Sequence, residues 1–202
     1  MLIGLTGLYC AGKNHVASIL QRRGLQILDV DRLGYIAIEN KKADIIARFG
    51  GEIADPDGSV NRRQLGTKVF RHEKEVADLE AIVHPEANRL TEEWIALQCG
   101  KNCVINAALL HRSSVFQQLD CIILVHAPLL LRLIRAKKRD GLPWAAIARR
   151  LLSQRQFSAQ YLSKNADIYR VENPGFGANL EDQIDIILSK LGLKSSIVEG
   201  GS

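Results

Sequence analysis

The sequence has few aromatic residues, 5% of its 202 positions, and no long apolar run. A helix that crosses a membrane needs about 18 to 20 consecutive apolar residues, so we expect no membrane partner. The chain opens on an apolar strand pattern without a preceding basic segment, which argues against a secretory signal and predicts a cytoplasmic protein. The sparse aromatics are not interleaved with basic residues, so a stacking platform for nucleic acid is not predicted.

Cysteine is also scarce, and the four cysteines do not form a metal-binding pattern. Cys99 and Cys103 are close in sequence, but no second pair accompanies them as it does in zinc-binding sequences. Cys103 and Cys121 lie in apolar runs, which is typical of buried thiols in a reducing compartment. Cys10 lies in a glycine-containing stretch, where we expect it to act as a small residue.

The composition is that of a globular protein with an ordinary core. Hydrophobic residues make up 47% and charged residues 24% of the chain, close to the average for soluble domains. The length fits one domain with a small inserted subdomain, and no internal repeat is present. A net charge of +5 favours an anionic partner, such as a nucleotide, a phosphorylated metabolite or a nucleic acid.

The most specific motif lies near the start of the chain. An apolar run from Leu2 to Leu5 leads into a Gly-x-x-x-x-Gly-Lys stretch, and a helical pattern begins near His15. In such a stretch, glycines let backbone N–H groups turn towards an anion, and the lysine reaches the phosphates of a nucleotide. A chance glycine-rich turn is the alternative, but the position between the first strand and the first helix favours phosphate binding. The predicted phosphate loop consists of Gly7, Leu8, Tyr9, Cys10, Ala11, Gly12, Lys13 and Asn14.

The phosphate loop ends in asparagine, where this motif usually has Ser or Thr. In the usual motif the hydroxyl of that residue binds Mg²⁺. The amide oxygen of Asn14 can also bind a hard cation. We therefore expect Asn14 to contribute to a magnesium site.

Two aspartates follow the second predicted strand. Leu25, Ile27 and Leu28 make residues 25–28 mostly apolar, and Asp29 and Asp31 follow. Strand, helix and strand in this order predict a parallel sheet whose ligands bind at the carboxyl ends of the strands. In an extended segment both carboxylates point to the same side and repel each other unless a cation is near. We expect one of the two carboxylates to accept a proton from a substrate hydroxyl and the other to position that hydroxyl or a metal. Alternatively, Asp31 caps the next helix, and it could do both.

The segment from about residue 41 to 100 has a mostly helical pattern with a turn at residues 55–58. It is too long for a simple crossover, so it predicts a helical insertion that covers a second substrate. His84 precedes Pro85, and because a residue before proline disfavours the helical conformation, one helix is expected to end there. A further helix is expected from Glu86 to about Leu97. The predicted core therefore comprises residues 1–40 and 101–193.

Three more strands and a closing helix complete the predicted fold. Apolar runs at 103–108 and 121–125 are typical of strands buried on both faces. Residues 165–171 predict a short last strand, 180–191 a closing helix, and 194–202 a disordered tail. The prediction is an α/β, three-layer P-loop fold with a mostly parallel five-stranded sheet.

Basic residues crowd together after the fourth predicted strand. A solvated helix face is the usual explanation for such charges. Next to a phosphate loop, they also suit a mobile lid that places positive groups on a migrating phosphoryl group. We expect a lid at about residues 135–160, with a turn at residues 140–143. The basic residues are Arg132, Arg135, Lys137, Lys138, Arg139, Arg149, Arg150 and Arg155.

Taken together, these motifs resemble the dephospho-CoA kinase family over about the first 190 residues. Asp29-Val30-Asp31 is similar to the family's Asp-x-Asp, and His84-Pro85 to its His-Pro. The segment Arg139-Asp140-Gly141-Leu142 resembles the family's lid motif, which Arg150 follows. Residues 166–168 with Asn173 resemble a motif near the adenine pocket.

The resemblance implies ATP-dependent phosphorylation of the ribose 3′-hydroxyl of dephospho-CoA, with Mg²⁺ as the metal. It implies catalytic roles for Lys13, Asp31 and Arg139. ATP would contact the phosphate loop, Arg139 and Asn173, and the acceptor would contact Asp31, His84, Leu109 and Arg150. Asn14 and Asp29 are the implied metal ligands. The expected partners are these small molecules, with no nucleic acid or membrane, and the expected state is a monomer or weak homo-oligomer.

The chain departs from the family pattern at several positions. Leu8, Cys10, Ala11 and Asn14 replace common loop residues, and Tyr35 stands where the family has Arg or His. The third strand ends in Ala108-Leu109-Leu110-His111, where the family has Pro-Leu-Leu-(Phe/Tyr)-Glu. Two alternatives stay open: a kinase for another small nucleoside or nucleotide, and a nucleotide-binding protein without catalysis, which Asn14 and His111 favour.

Overall fold

The computed structural model describes residues 1–70, 72–152, 166–175 and 179–193. The chain forms two compact units. The larger comprises Met1–Leu28 and Gln98–Ser202, and the smaller comprises Asp29–Leu97. The smaller unit therefore begins at Asp29 and not near residue 41. The predicted tail, Arg155 and the rest of the predicted lid after residue 152 lie outside the described residues.

The larger unit is built on a five-stranded sheet in the order β2-β3-β1-β4-β5. Strand β1 pairs in parallel with β3 and β4, and β4 pairs in parallel with β5. The register places Leu5 beside Asn106 and Gly7 beside Val125. The predicted α/β fold and its parallel sheet are confirmed. The strands are β1 (Leu2–Gly7), β2 (Gln26–Asp29), β3 (Cys103–Asn106), β4 (Cys121–His126) and β5 (Asp167–Glu172).

The sheet is buried because its central strands are apolar on both faces. Every residue of β3 is buried, as are residues 3–7 of β1. Helices α1 (Lys13–Arg22) and α8 (Leu180–Lys190) contribute Val16 and Ile184 to the same core. Arg23 follows α1 and donates to Asp185 of α8 at 2.7 Å. This arrangement fixes the carboxyl end of β1, from which the phosphate loop emerges.

Two helices follow β4 in the larger unit. Helix α6 spans Leu129–Asp140 and helix α7 spans Trp144–Leu152. Gly141 adopts a left-handed φ of 64° and ends α6, a common way for a helix to terminate. The predicted turn at residues 140–143 is confirmed. Short 3₁₀ turns at Leu110–Arg112 and Ser114–Gln118 connect β3 to β4.

The smaller unit is helical, as predicted. Phe49 and Leu65 lie at its core, and a bridge between Ala54 and Val60 closes the predicted turn. The structure differs from the sequence-based expectation in the number of helices after residue 70, since a single helix spans Glu73–Leu97. The helices are α2 (Val30–Asn40), α3 (Lys42–Phe49), α4 (Arg62–Val69) and α5 (Glu73–Leu97), with a 3₁₀ turn at Gly51–Ile53.

The predicted helix break at His84-Pro85 is wrong, because α5 continues through Pro85. A proline inside a helix removes one backbone hydrogen bond and costs about 3 kcal/mol in isolation. Here α5 packs along α2, and the residue after the proline is anchored. The buried Glu86 accepts a 2.7 Å hydrogen bond from Asn40 Nδ2 and a second from Arg89. We infer that these tertiary contacts offset the local cost.

Candidate nucleotide and phosphoryl-transfer site

The phosphate loop turns directly from β1 into α1, which begins at Lys13. Gly12 has a φ of 99° and accepts the first helical hydrogen bonds, from His15 and Val16. Glycine is required there, because other residues adopt this φ only with strain. Gly7 does not have a positive φ, contrary to the sequence-based argument for it. Glycine is needed at position 7 because a Cβ there would lie only 2.8 Å from the Val125 carbonyl oxygen of β4.

Cys10 is a strained position in the phosphate loop. Its φ of 60° is left-handed, which costs a non-glycine residue about 1–2 kcal/mol. The loop is closed by a hydrogen bond from Ala11 N to Leu8 O at 2.9 Å. Burial raises the pKa of the Cys10 thiol, so the thiol stays protonated near neutral pH. The expected role of Cys10 as a small loop residue agrees with this geometry.

Two arginines of α6 hold the carbonyl groups of the phosphate loop. Arg132 Nε donates to Tyr9 O at 2.9 Å, and Arg135 Nη1 donates to Ala11 O at 3.3 Å. In a trans peptide unit the N–H points away from the C=O. Fixing these two carbonyls on α6 therefore directs the N–H groups of Cys10 and Gly12 to the opposite side. That orientation is the one an anion needs.

Arg132 also places an uncompensated positive charge beside the loop. Its side chain is buried, and burial lowers the pKa of the guanidinium. Its Nη2 atom is buried without a hydrogen-bond partner among the described residues. A buried charged donor without a partner is costly, and a phosphate oxygen is a suitable acceptor for it.

The arrangement of these arginines was not predicted, although the sequence carries a signal for it. Arg132, Arg135 and Arg139 are spaced so that they share one face of a helix. In the sequence these arginines belong to a larger cluster of basic residues. Only the structure separates the arginines that contact the phosphate loop from basic residues on the solvated face, such as Lys138.

The predicted lid residues meet the loop at Tyr9. Arg139 donates to Asp140 through Nε at 2.8 Å and Nη2 at 3.2 Å, and its guanidinium lies 5.0 Å from the centre of the Tyr9 ring. Arg150 lies 5.8 Å from the same ring centre, and its Nη1 donates to Asp140 at 3.4 Å. The Tyr9 hydroxyl donates to Asp140. The neighbouring guanidinium of Arg139 lowers the pKa of Asp140, and burial raises that of Tyr9.

Asn173 supports the phosphate loop from the end of β5. It is buried, its Nδ2 donates to Ala11 O at 2.8 Å, and its Oδ1 accepts from Arg135 at 3.1 Å. Its backbone N–H donates to His126 O at 2.7 Å. A cavity of about 570 Å³ adjoins it and is large enough for part of a nucleotide. The cavity is lined by Gly12, His15, Ile19, Arg135, Asn173, Gly175, Asn179, Leu180 and Glu181.

The predicted metal ligand Asn14 is exposed at the start of α1. Its Oδ1 accepts a hydrogen bond from Asn106 Nδ2 at 3.4 Å, and the Oδ1 of Asn106 is buried without a partner among the described residues. Mg²⁺ commonly takes one or two protein ligands and completes its shell with phosphates and waters. Two amide oxygens beside the loop fit that requirement. Within the described residues, no group of three His, Cys, Asp or Glu side chains could hold a metal ion.

Comparison with known proteins agrees with this geometry. A family model described as dephospho-CoA kinase matches residues 1–175. The chain belongs to the dephospho-CoA kinase family. A dephospho-CoA kinase of Treponema pallidum is 33% identical over 202 residues, which cover 95% of this chain and 96% of that protein. The predicted resemblance is confirmed.

Solved structures share the fold. A crystal structure from Thermus thermophilus has a TM-score of 0.78 and 30% sequence identity, and covers 95% of this chain and 96% of its own. The dephospho-CoA kinase of Campylobacter jejuni has a TM-score of 0.69 at 18% identity, and the comparison covers 94% of this chain and 96% of that chain. At that identity the second likeness concerns the fold alone.

The Asp-x-Asp motif of this dephospho-CoA kinase family member does not lie on one strand. Strand β2 ends at Asp29 and helix α2 begins at Val30, so Asp31 lies in the first helical turn and is exposed. Asp29 Oδ1 accepts from Arg32 N at 3.3 Å and caps α2. The expectation of two carboxylates on one side of a strand is wrong, since β2 ends at Asp29 and Asp31 belongs to α2. The capping role considered for Asp31 belongs to Asp29.

The remaining predicted site residues are distributed over both units. His84 is half-buried in the middle of α5 in the smaller unit. Leu109 lies in the larger unit, just before the 3₁₀ turn that follows β3, and its side chain is 48% exposed. Lys13 is the first residue of α1 and adjoins the phosphate loop.

The smaller unit contains a wide cavity that the sequence analysis missed. Its volume is about 1060 Å³. The guanidinium of Arg62 lies 4.5 Å from the centre of the Tyr35 ring at its wall. Arg62 brings a positive charge to this wall of the cavity. The lining residues are Tyr35, Ile36, Glu39, Asp55, Ser59, Val60, Asn61, Arg62 and Arg63.

Among the residues that the structure describes, no helix is both long enough and apolar enough to span a membrane.

Proposed function

We propose that this protein transfers the γ-phosphoryl group of ATP to the ribose 3′-hydroxyl of dephospho-CoA, giving coenzyme A and ADP. Membership in the dephospho-CoA kinase family supports this reaction. The structural observation that carries the proposal is the phosphate loop itself. Arg132 and Arg135 hold its carbonyls on one side, which leaves N–H groups on the other side for an anion.

The ATP phosphates are proposed to bind at the loop and at the start of α1. The N-terminus of a helix favours negative charge, and Lys13 stands at that point. Arg132 supplies the buried donor Nη2, which lacks a partner among the described residues. The cavity beside Asn173 and Arg135 would take the nucleoside end of ATP.

The proposed catalytic groups are Asp31 and Arg139. Asp31 is exposed in the first turn of α2 and would accept the proton of the ribose 3′-hydroxyl as that oxygen attacks phosphorus. Arg139 would stabilise negative charge on the phosphoryl group in flight. Because such transfer reactions are accelerated mainly by positioning and electrostatics, losing either residue should cost several kcal/mol of transition-state stabilisation.

Mg²⁺ is the proposed metal, with Asn14 as its protein ligand. When bound, the ion neutralises charge on the transferring phosphates. Asn106 lies behind Asn14 and orients its amide through the 3.4 Å hydrogen bond. Asp29 is a weaker candidate than the sequence predicted, because its carboxylate caps α2.

The acceptor is proposed to use the cavity of the smaller unit. Arg62 and Arg63 provide positive charge for the diphosphate of dephospho-CoA, and Tyr35 provides apolar surface. His84, Leu109 and Arg150 remain proposed acceptor contacts. We further propose that the protein acts in the cytoplasm, a reducing compartment that its free cysteines favour. The proposed state is a monomer or weak homo-oligomer.

The decisive experiment is to measure ADP release with MgATP, with and without dephospho-CoA, and to identify the phosphorylated product by mass. ADP release that requires dephospho-CoA, together with product of coenzyme A mass, supports the proposal. Phosphorylation of other nucleosides or nucleotides, but not of dephospho-CoA, would establish the alternative kinase. ATP binding without transfer to any acceptor would establish a non-catalytic protein. The family match does not favour either alternative.

A further inference from the structure

Tyr9 is the one residue of the phosphate loop for which the described contacts reach both helices of the lid. Its hydroxyl donates to Asp140 at the end of α6. Arg139 lies 5.0 Å and Arg150 of α7 lies 5.8 Å from the centre of its ring. A tyrosine ring attracts guanidinium groups electrostatically at these distances. One loop side chain thus contacts three charged lid residues.

The charges in this cluster are partly balanced. Asp140 accepts two hydrogen bonds from Arg139 and one from Arg150. Two positive groups therefore share one carboxylate. The guanidinium of Arg139 lowers the pKa of Asp140, so the carboxylate remains ionised near neutral pH and accepts a hydrogen bond from the hydroxyl of Tyr9. Both guanidinium groups lie beside Tyr9 of the loop that the proposed function assigns to the ATP phosphates.

We propose that Tyr9 is a positioning residue for phosphoryl transfer, which holds Arg139 and Arg150 of the lid beside the phosphate loop before ATP binds. This inference rests on the proposed kinase function. Long arginine side chains lose conformational freedom when they are fixed in one geometry. Electrostatic stabilisation of a transition state is most effective when the charged groups are already oriented. Tyr9 meets that need through its ring and its hydroxyl together.

The proposal separates the effect on turnover from the effect on ATP binding. Arg132 donates to the backbone carbonyl of Tyr9, and a substitution that changes only the tyrosine side chain keeps this contact. Removal of the Tyr9 ring should therefore lower kcat and leave the KM for ATP nearly unchanged. A residue with a merely structural role would not divide the two constants in this way.

The test compares Tyr9→Leu, Tyr9→Phe and the control Trp144→Leu in the full-length protein. Tyr9→Leu removes ring and hydroxyl, and we expect kcat to fall about tenfold while the KM for ATP changes less than about threefold. Tyr9→Phe keeps the ring and should retain most of the wild-type kcat. Within the lid, Lys137 Nζ lies 5.6 Å from the centre of the Trp144 ring. Trp144→Leu therefore removes a comparable aromatic contact and should leave kcat within about twofold of the wild-type value.

Three results would overturn the proposal. An unchanged kcat in Tyr9→Leu would show that Tyr9 does not position the arginines. A raised kcat would show that the contact restrains the lid. An increase in the KM for ATP with kcat preserved would make Tyr9 a nucleotide contact. If Tyr9→Leu does not fold, a double-mutant cycle of Tyr9→Phe and Asp140→Asn replaces it. Non-additive effects of the two changes on kcat would show that the contact between the Tyr9 hydroxyl and Asp140 contributes, and additive effects would show that it does not.

A second readout does not depend on the kinase reaction. Trypsin cleaves after basic residues, and Lys138 and Arg139 are exposed at the end of α6. Without nucleotide, Tyr9→Leu should be cleaved faster at these residues than the wild-type protein, whereas Trp144→Leu should not. Equal cleavage rates in Tyr9→Leu and wild type would refute the positioning role even in an inactive protein. If dephospho-CoA causes no ADP release by the wild-type protein, that result would instead refute the proposed function.

Discussion

Asn173 lies so close to Gly12 that a Cβ atom at Gly12 would be 2.2 Å from Asn173 Nδ2. The same nitrogen donates to Ala11 O at 2.8 Å. The end of β5 and the phosphate loop are therefore packed without space between them. Any side chain at Gly12 displaces the residue that supports the loop.

Gly12→Ala should abolish or strongly weaken ATP binding, because it adds both backbone strain and a collision with Asn173. Gly100→Ala is the matched control, since Gly100 has a φ of 76° and nothing within 4 Å of the added Cβ. The control should show only the cost of a left-handed alanine, about 1 kcal/mol. Calorimetric titration with ATP would measure the affinity of both variants, and unfolding in urea would measure their free energy of unfolding. Equal ATP affinity in Gly12→Ala and wild type would contradict the contact.

Asp31→Asn should keep ATP affinity and lose turnover by a factor of about 10² to 10⁴, because an amide cannot accept the hydroxyl proton. Asp44→Asn serves as the control, since Asp44 also lies in the first turn of a helix in the smaller unit. Its turnover should match that of the wild-type protein. Steady-state rates and ATP titrations are the measurements. Near-normal turnover in Asp31→Asn would remove Asp31 from the mechanism.

Asn14→Thr should lower the Mg²⁺ concentration needed for half-maximal activity, because a hydroxyl at this position ligates the ion in the usual motif. Asn14→Leu removes the amide oxygen and should raise that concentration. A Mg²⁺ titration of ADP release in the three proteins provides the comparison. The same Mg²⁺ requirement in all three would exclude residue 14 as a metal ligand.

Glu86 should make stability depend on pH in acid. Hydrogen bonds from Arg89 and Asn40 lower the pKa of Glu86 from 4.5 to about 2. The stability it contributes is therefore fully present above pH 4.5, and it is lost as the pH falls through about 2. Glu86→Gln should be less stable at neutral pH and should lose less stability than the wild-type protein across this interval.

The control for this prediction is Glu93→Gln. Glu93 also pairs with Arg89 on α5, but its side chain is 57% exposed, and exposed pairs contribute little. Urea midpoints at several pH values between neutral and 2 would compare the three proteins. Parallel pH profiles of Glu86→Gln and wild type would contradict a role for this carboxylate.

The strands and the phosphate loop could be predicted because their signals are local. The mostly apolar stretches 103–108 and 121–125 predicted strands, and parallel strands form there at Cys103–Asn106 and Cys121–His126. The loop motif combines fixed glycine positions with a strand before it and a helix after it. Such patterns depend on neighbours in the sequence and need no knowledge of distant contacts.

The errors arose where distant contacts decide the local structure. Pro85 was expected to break a helix, but Glu86, Asn40 and Arg89 form a polar cluster that holds α5 together. The chain bends into α2 directly after Asp29, two residues earlier than a helix capped by Asp31 would begin.

The contacts of Arg132 and Arg135 with the phosphate loop were missed for a related reason. A cluster of basic residues looks the same in the sequence whether it faces solvent or a carbonyl group. Pairing α6 with the loop depends on the order of the strands, which local patterns do not give. Only the helical spacing of the two arginines with Arg139 marks a shared face.

The carbonyl contacts of the phosphate loop have a consequence for protein synthesis. Arg132 is 123 positions from Tyr9, and Asn173 is 162 positions from Ala11. At about 5–20 residues per second, the ribosome needs on the order of ten seconds to add this length of chain. The loop is thus translated well before Arg132 and Asn173, the residues that shape it. The nascent chain acquires its nucleotide-binding shape only after Asn173 has been added.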